Sequence, residues 1–200
     1  MKKAPDRASD ILLEIANDKK KSGLLTYQSI LDRLGESAFG IALLFFSLPS
    51  ALPFAAIPGI SFFFSIPIAL FALQLIIGRK TLWLPKSVAN RTVNKGTISK
   101  VIHTSVPYLK KMEYLLKPRL PLMNFRFFEV LNGFIIFCLS ILLMLPIPFS
   151  NFIFAFILIV FSLGLIEKDG VFIIAGYIST FVYISFVYVL IMAAIIKLFA

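Results

Sequence analysis

One cysteine (Cys138), one histidine (His103) and one tryptophan (Trp83) occur in 200 residues, against 22 phenylalanines. A lone cysteine inside an apolar run excludes a disulfide framework and reads as a small buried hydrophobe. With a single histidine there is no cluster at metal-ligand spacing, and neither a Gly-rich phosphate loop nor a Ser/His/Asp pattern is present. No metal, cofactor or catalytic residue is therefore nominated, and the chain is not expected to be an enzyme. Charge itself is absent over long stretches. No charged residue lies between Glu36 and Arg79 (42 residues), between Glu129 and Glu167 (37 residues), or from Gly170 to Ile196. One crossing of a hydrocarbon core needs about 20 apolar residues of helix. With 59% hydrophobic residues and a mean hydropathy of +0.92, a soluble domain could not bury such runs. The composition specifies an integral, all-α membrane protein.

The charges that remain are unevenly placed. Residues 1–36 carry seven Lys/Arg and six Asp/Glu, whereas 79–126 carries eleven Lys/Arg and one acid, Glu113. A basic block between apolar helices is read as the positive-inside signature and not as a nucleic-acid surface. No nucleic-acid partner is expected, and loop 79–128 and the N-terminus are placed on the cytoplasmic side of a bacterial inner membrane, multi-pass. Met1-Lys2-Lys3 leads into no apolar stretch, so no cleaved signal peptide is expected.

The chain divides into five segments. Residues 1–36 form an amphipathic N-terminal segment with two short helices. Ser9-Asp10 caps the first, Thr26 caps the second and Gly35 ends it. Residues 37–78 form a first membrane hairpin broken by Pro49, Pro53, Pro58 and Gly59, with Pro67 further on. Residues 129–167 form a second, broken at Pro146-Ile147-Pro148. Each hairpin either spans or dips part-way as a re-entrant pair, and irregular backbone at that depth needs protein or water partners. Between them, in 79–128, a helix capped by Thr97 or Ser99 carries Val101, Ile102, Val106, Leu109, Met112 and Leu116 near one face, with Pro107 kinking it. It is expected to lie on anionic lipid headgroups, with Trp83 as an interfacial anchor. Residues 170–200 cross once, tilted, or as a pair broken around Gly176–Thr180. The total is four to six transmembrane or re-entrant helices.

At an offset of 90 residues the hairpins resemble each other, with eight identities between 57–76 and 147–166, among them Ile57-Pro58 with Ile147-Pro148. Both hairpins start and end on the basic side, so a repeat here would be parallel. Internal repeats around broken helices are one route to a midplane binding site.

The ordered landmarks are Leu34-Gly35-Glu36, Leu73-Gln74-Leu75-Ile76-Ile77-Gly78-Arg79 and Trp83-Leu84-Pro85. After them come Glu113 with Lys117-Pro118-Arg119-Leu120, then Leu145-Pro146-Ile147-Pro148-Phe149 with Asn151, and Leu163-Gly164-Leu165-Ile166-Glu167-Lys168-Asp169-Gly170. Together, over about residues 25–180, these resemble the bacterial exopolysaccharide-synthesis ExoD family of inner-membrane proteins. Phe154, where a proline is common, and Lys117, in place of the usual arginine, depart from its pattern. The resemblance implies a role in surface-polysaccharide production and no established activity or cofactor; solute or ion movement at the broken helices is the leading expectation, and a scaffold binding exopolysaccharide-assembly proteins through the basic interfacial helix is the alternative.

Several side chains are candidates for function. Pro58, Ser61, Ser65, Gln74, Pro148, Ser150 and Asn151 are candidates for a polar cavity where the two breaks, 49–61 and 146–151, meet at membrane depth. Gln74 either bonds between helices or lines that cavity. Glu167 and Asp169 are candidates for ion or proton coupling, against simple charge neutralisation beside Lys168. Arg79, Lys80, Lys110, Lys111, Lys117 and Arg119 form the membrane-surface basic set. Glu113 with Arg119 is the one cluster that a membrane transferase could use.

Overall fold

The computed structural model describes residues 7–17, 26–52, 60–120, 125–145 and 150–199. Their regular elements are all helical: α1 (Ala8–Asn17), α2 (Tyr27–Leu34), α3 (Ser37–Ser47), a 3₁₀ turn (Pro49–Ala51), α4 (Ile60–Ile77), α5 (Lys86–Ala89), α6 (Lys95–Leu115), α7 (Arg126–Met144), α8 (Ser150–Glu167) and α9 (Gly170–Phe199). Extended backbone pairs only at an isolated bridge, Thr26 with Thr92, among these residues. α7, α8 and the Gly170–Val189 part of α9 are long and apolar enough to cross a membrane. A fourth span is α2 with the α3 segment through Ala51, if that pair, bent by 117°, counts as one. α9 runs unbroken, and Thr180 donates to the Gly176 carbonyl. Of the two alternatives for 170–200, the structure has the single helix.

The hairpins exchange partners. α3 packs on α8 and α4 on α7, so each first helix lies along the second helix of the other hairpin. Between lipid-exposed helices there is no hydrophobic driving force, and close approach through small residues takes its place. Gly40 in α3 sits against the backbone of Ser162 and Ile166, where an added Cβ would come within 2.7 Å of each. Gly133 in α7 sits in the same way against Ala72 and Ile76, at 3.0 and 2.9 Å. Ala72 and Ile76 are the counterparts of Ser162 and Ile166 at the 90-residue offset.

The helix ends repeat as well. The Arg79 N–H donates to the Gln74 carbonyl at 3.0 Å, and the Asp169 N–H to the Gly164 carbonyl at 2.9 Å. The left-handed position of each cap is filled by Gly78 (φ +79°) in one hairpin and Lys168 (φ +55°) in the other. Two parallel hairpins related by an approximate two-fold axis account for these pairs. Phe39, Leu43, Ile68, Phe71, Ile136, Leu139, Leu158 and Phe161 form the buried core around the axis.

The charged ends of both hairpins lie at one end of this bundle, and the short helices gather there. Thr26 caps α2 through a reciprocal box with Ser29, and Gly35 (φ +56°) ends it. α1 packs on α6 through Ile15, Ile102 and Val106. Three expectations are corrected here. Ser9 does not cap α1, because both its backbone N–H and its hydroxyl are turned onto Glu113. α6 starts earlier than Thr97, capped by the Asn94 side chain. Val101 points outward, since α1 covers only the Ile98–Ile102–Val106 face.

Candidate functional site

A cleft of about 50 Å³ opens at the charged end of the bundle. Its walls are twins from the two hairpins. Glu36, which precedes α3, and Glu129, in the first turn of α7, are equivalent in the two hairpins, as are Leu75 of α4 and Leu165 of α8. The approximate two-fold axis therefore runs through the cleft. Both acids have cationic partners: Glu36 pairs with Lys168 at 2.6 Å, and Glu129 with Arg126 at 3.8 Å. Arg126 also donates to the Ile77 carbonyl at 2.7 Å, capping α4. Arg79 and Lys80 complete the rim, Arg79 with its guanidinium over the Trp83 ring at 5.7 Å.

Among the wall residues that differ between the twins, one is buried in both. Phe39 of α3 corresponds to Asn132 of α7, and both are almost fully buried. A buried amide where the twin carries a ring costs free energy unless it is bonded. α9 supplies that bond: the Tyr177 hydroxyl donates to the Asn132 side-chain oxygen at 2.5 Å. Phe161 packs edge-on to Tyr177 and holds it there.

Beside the cleft, α1 is clamped to α6 and α8. Glu113 is 2% exposed and accepts from the Ser9 N–H at 2.8 Å and the Ser9 hydroxyl at 2.5 Å. An anion at a helix N-terminus is favoured by the unsatisfied N–H groups and the helix dipole. The Glu167 carboxyl lies against Glu113, with Arg7 and the Ala8 N–H nearby, and its Oε1 is buried without a hydrogen-bond partner. Asp169 is fully buried and spent on structure. It accepts from the Lys117 N–H and the Val171 N–H, both at 3.0 Å, while the Gly170 N–H donates to the Arg119 carbonyl. Glu113 thus turns inward to Ser9 and Glu167, and Arg119 lends its backbone carbonyl to Gly170.

Pro58 and Pro148 lie outside the described residues, as does most of each break. Ser61 and Asn151, equivalent positions at the starts of α4 and α8, each keep a buried oxygen with no partner, as does Ser50 of the 3₁₀ turn. That turn packs against both α4 and α8. Ser65 bonds the Phe62 carbonyl within its own helix, and Ser150 accepts from Tyr183 of α9 at 2.7 Å. Gln74 is far from these. Its amide accepts from the Trp83 N–H at 2.7 Å and donates to the Trp83 carbonyl at 3.1 Å, fixing the turn after α4. Because Trp83 is the only tryptophan, Gln74→Leu is expected to lower its fluorescence anisotropy and shift its emission without unfolding the bundle. Unchanged spectra would mean that the turn is held by other contacts.

Lys110, Lys111, Lys117 and Arg119 are exposed along and after α6, with Tyr108 and Tyr114 among them. Among the described residues no group of three or more His, Cys, Asp or Glu is placed to hold a metal ion. Sequence reasoning missed Asn132, Tyr177 and Ser9. The signal for Asn132 was present, since it is an amide at the place where the first hairpin has a phenylalanine.

Residues 8–189 match the family model described as "Exopolysaccharide synthesis, ExoD". An uncharacterized protein of Synechocystis sp. is 39% identical over 142 residues, which cover 70% of this chain and 66% of that protein. Protein ExoD of Rhizobium meliloti is 29% identical over 177 residues, covering 82% of this chain and 71% of its own length. No solved structure matches the chain. The match runs from α1 into α9 and includes both hairpins, the axial cleft and the α1 clamp; the chain belongs to the ExoD exopolysaccharide-synthesis family.

Proposed function

We propose that the chain is a multi-pass protein of the bacterial inner membrane that assists exopolysaccharide synthesis or export without catalysing it, by moving a small solute or ion through the core of the paired hairpins. The observation that carries this reading is the polarity of the core at its two ends. A charged cleft lies on the axis at one end, and partnerless buried oxygens of Ser50, Ser61 and Asn151 lie at the other. Polar groups in a membrane interior are costly, and ones without protein partners suit a water-lined path at broken helices. The positive-inside reading of the basic block supports a cleft that faces the cytoplasm.

Flux of protons, potassium and inorganic phosphate into liposomes holding the purified protein tests this. Flux that Ser61→Val with Asn151→Leu abolishes, in protein that still folds, is the expected result. Absence of any flux from the wild type would overturn it. A second reading has its own observation. The outward side of α6 presents Tyr108 and Tyr114, 71% and 81% exposed, among Lys100, Lys110 and Lys111. Aromatic rings interleaved with lysines suit anionic headgroups at the bilayer surface, or an acidic face of an exopolysaccharide-assembly protein. The scaffold reading gains if such a protein co-purifies, and co-purification is lost when these lysines become glutamine.

A further inference from the structure

We infer that the axial cleft is a binding site for a phosphate-type oxyanion, held between the amide of Asn132 and the rim cations Arg79 and Lys80. The sign of the ligand follows from the charges that are already matched. Of the five charged residues lining the cleft, Glu36 is neutralised by Lys168, and Glu129 by Arg126 from outside it. Arg79 and Lys80 remain, with no carboxylate partner among the described residues. The Arg79 contact is with the face of Trp83, which leaves its charge uncompensated.

The depth of the site follows from Asn132. It is 1% exposed and lines the cleft. Tyr177 takes its oxygen, so the amide presents its N–H groups, and among the described residues nothing accepts from them. Donors without acceptors at the inner wall and unmatched cations at the rim describe an anion site in two parts. About 50 Å³ is several times the ~10–15 Å³ that one water needs. It has room for a single oxyanion group. The floor of Phe39, Leu75, Leu165 and Ile173 offers no competing polar group.

The same chemistry has two sources, free phosphate or the phosphate of a lipid headgroup. Both are measured with the full chain, as equilibrium binding of inorganic phosphate in neutral detergent and as binding of phosphatidic acid in phosphatidylcholine nanodiscs. Lys80→Gln, an exposed position that leaves the fold intact, is expected to weaken binding about tenfold, as the loss of one charge-assisted contact does. Asn132→Asp keeps the Tyr177 partner, puts a negative charge in the cleft and is expected to abolish binding. Lys110→Gln, on the outward side of α6, is expected to change binding less than about twofold. Binding of inorganic phosphate with this pattern assigns a solute site, and binding of phosphatidic acid alone assigns a headgroup site. Equal loss in Lys80→Gln and Lys110→Gln would reduce the effect to the general field of the basic loop and overturn the inference, as would no binding of either probe. The inference rests on the membrane-component reading only for the setting of the cleft. Neither assay involves flux or polysaccharide, so phosphate binding without flux would sink the transport reading alone.

Discussion

Valine in place of Gly40 or Gly133 is expected to disrupt assembly of the bundle, with a cost of about 3 kcal/mol, the upper end of the usual overpacking range, for each substitution. Two of the three nearest atoms facing each glycine are backbone ones, the Ile166 nitrogen and Ser162 oxygen for Gly40 and the Ile76 nitrogen and Ala72 oxygen for Gly133; the third is the isoleucine Cγ1. Backbone cannot rotate away as a side-chain tip can, so two helices must separate and lose the close packing that holds them in lipid. Detergent gel filtration and a denaturant titration in micelles would both show the loss. Gly96→Ala is the control, because its Cβ would meet only the Asn94 side chain, at 3.3 Å. The two valine variants should behave alike, since their sites are twins. A Gly133→Val protein as stable as wild type would refute the close approach of α4 and α7.

Glu113→Ala is expected to release α1 while leaving the hairpins assembled. It removes both acceptors of Ser9, and hydrogen bonds to a charged group contribute about 1.5–3 kcal/mol each. Exchange of the α1 amides should accelerate by about 100-fold or more, with α7 and α8 unchanged. Ser9→Ala, which keeps the backbone bond, should have a smaller effect. If α1 exchanges as slowly in Glu113→Ala as in wild type, the apolar contacts of Ile15 with Ile102 and Val106 hold it without the clamp.

The architecture was readable wherever one local property decided the outcome. Charge-free runs of membrane length, prolines that interrupt them and the capping signals at Thr26 and Gly35 act over a few residues. The parallel orientation of the hairpins followed from where the charges stop. Contacts between distant segments were not readable. Ser9 and Glu113 are 104 residues apart, and neither lies in a pattern that requires the other. Gln74 was read as a polar intruder within an apolar run, but it lies near the end of α4, within reach of the turn that follows. The repeat was visible only in part. Three fewer residues separate the helices of the second hairpin, so α4 and α8 align at an offset of 90 but α3 and α7 at 93. At the offset of 90 alone, Gly40 and Gly133 are not aligned, and the exchange of Phe39 for Asn132 goes unseen.

The exchange of helices between two parallel hairpins is the claim on which the cleft and its symmetry depend. Cross-linking in native membranes tests it most directly, with Cys138→Ala as background and cysteine pairs at 37 with 166 and at 76 with 130. The first pair brackets the hydrogen bond from the Ser37 hydroxyl to the Ile166 carbonyl, 2.8 Å long, and the second is its twin. Both pairs are predicted to cross-link within one chain, in comparable yield, with a short bifunctional thiol reagent. Linkage of one pair only, or linkage solely between different chains, would contradict the two-fold core.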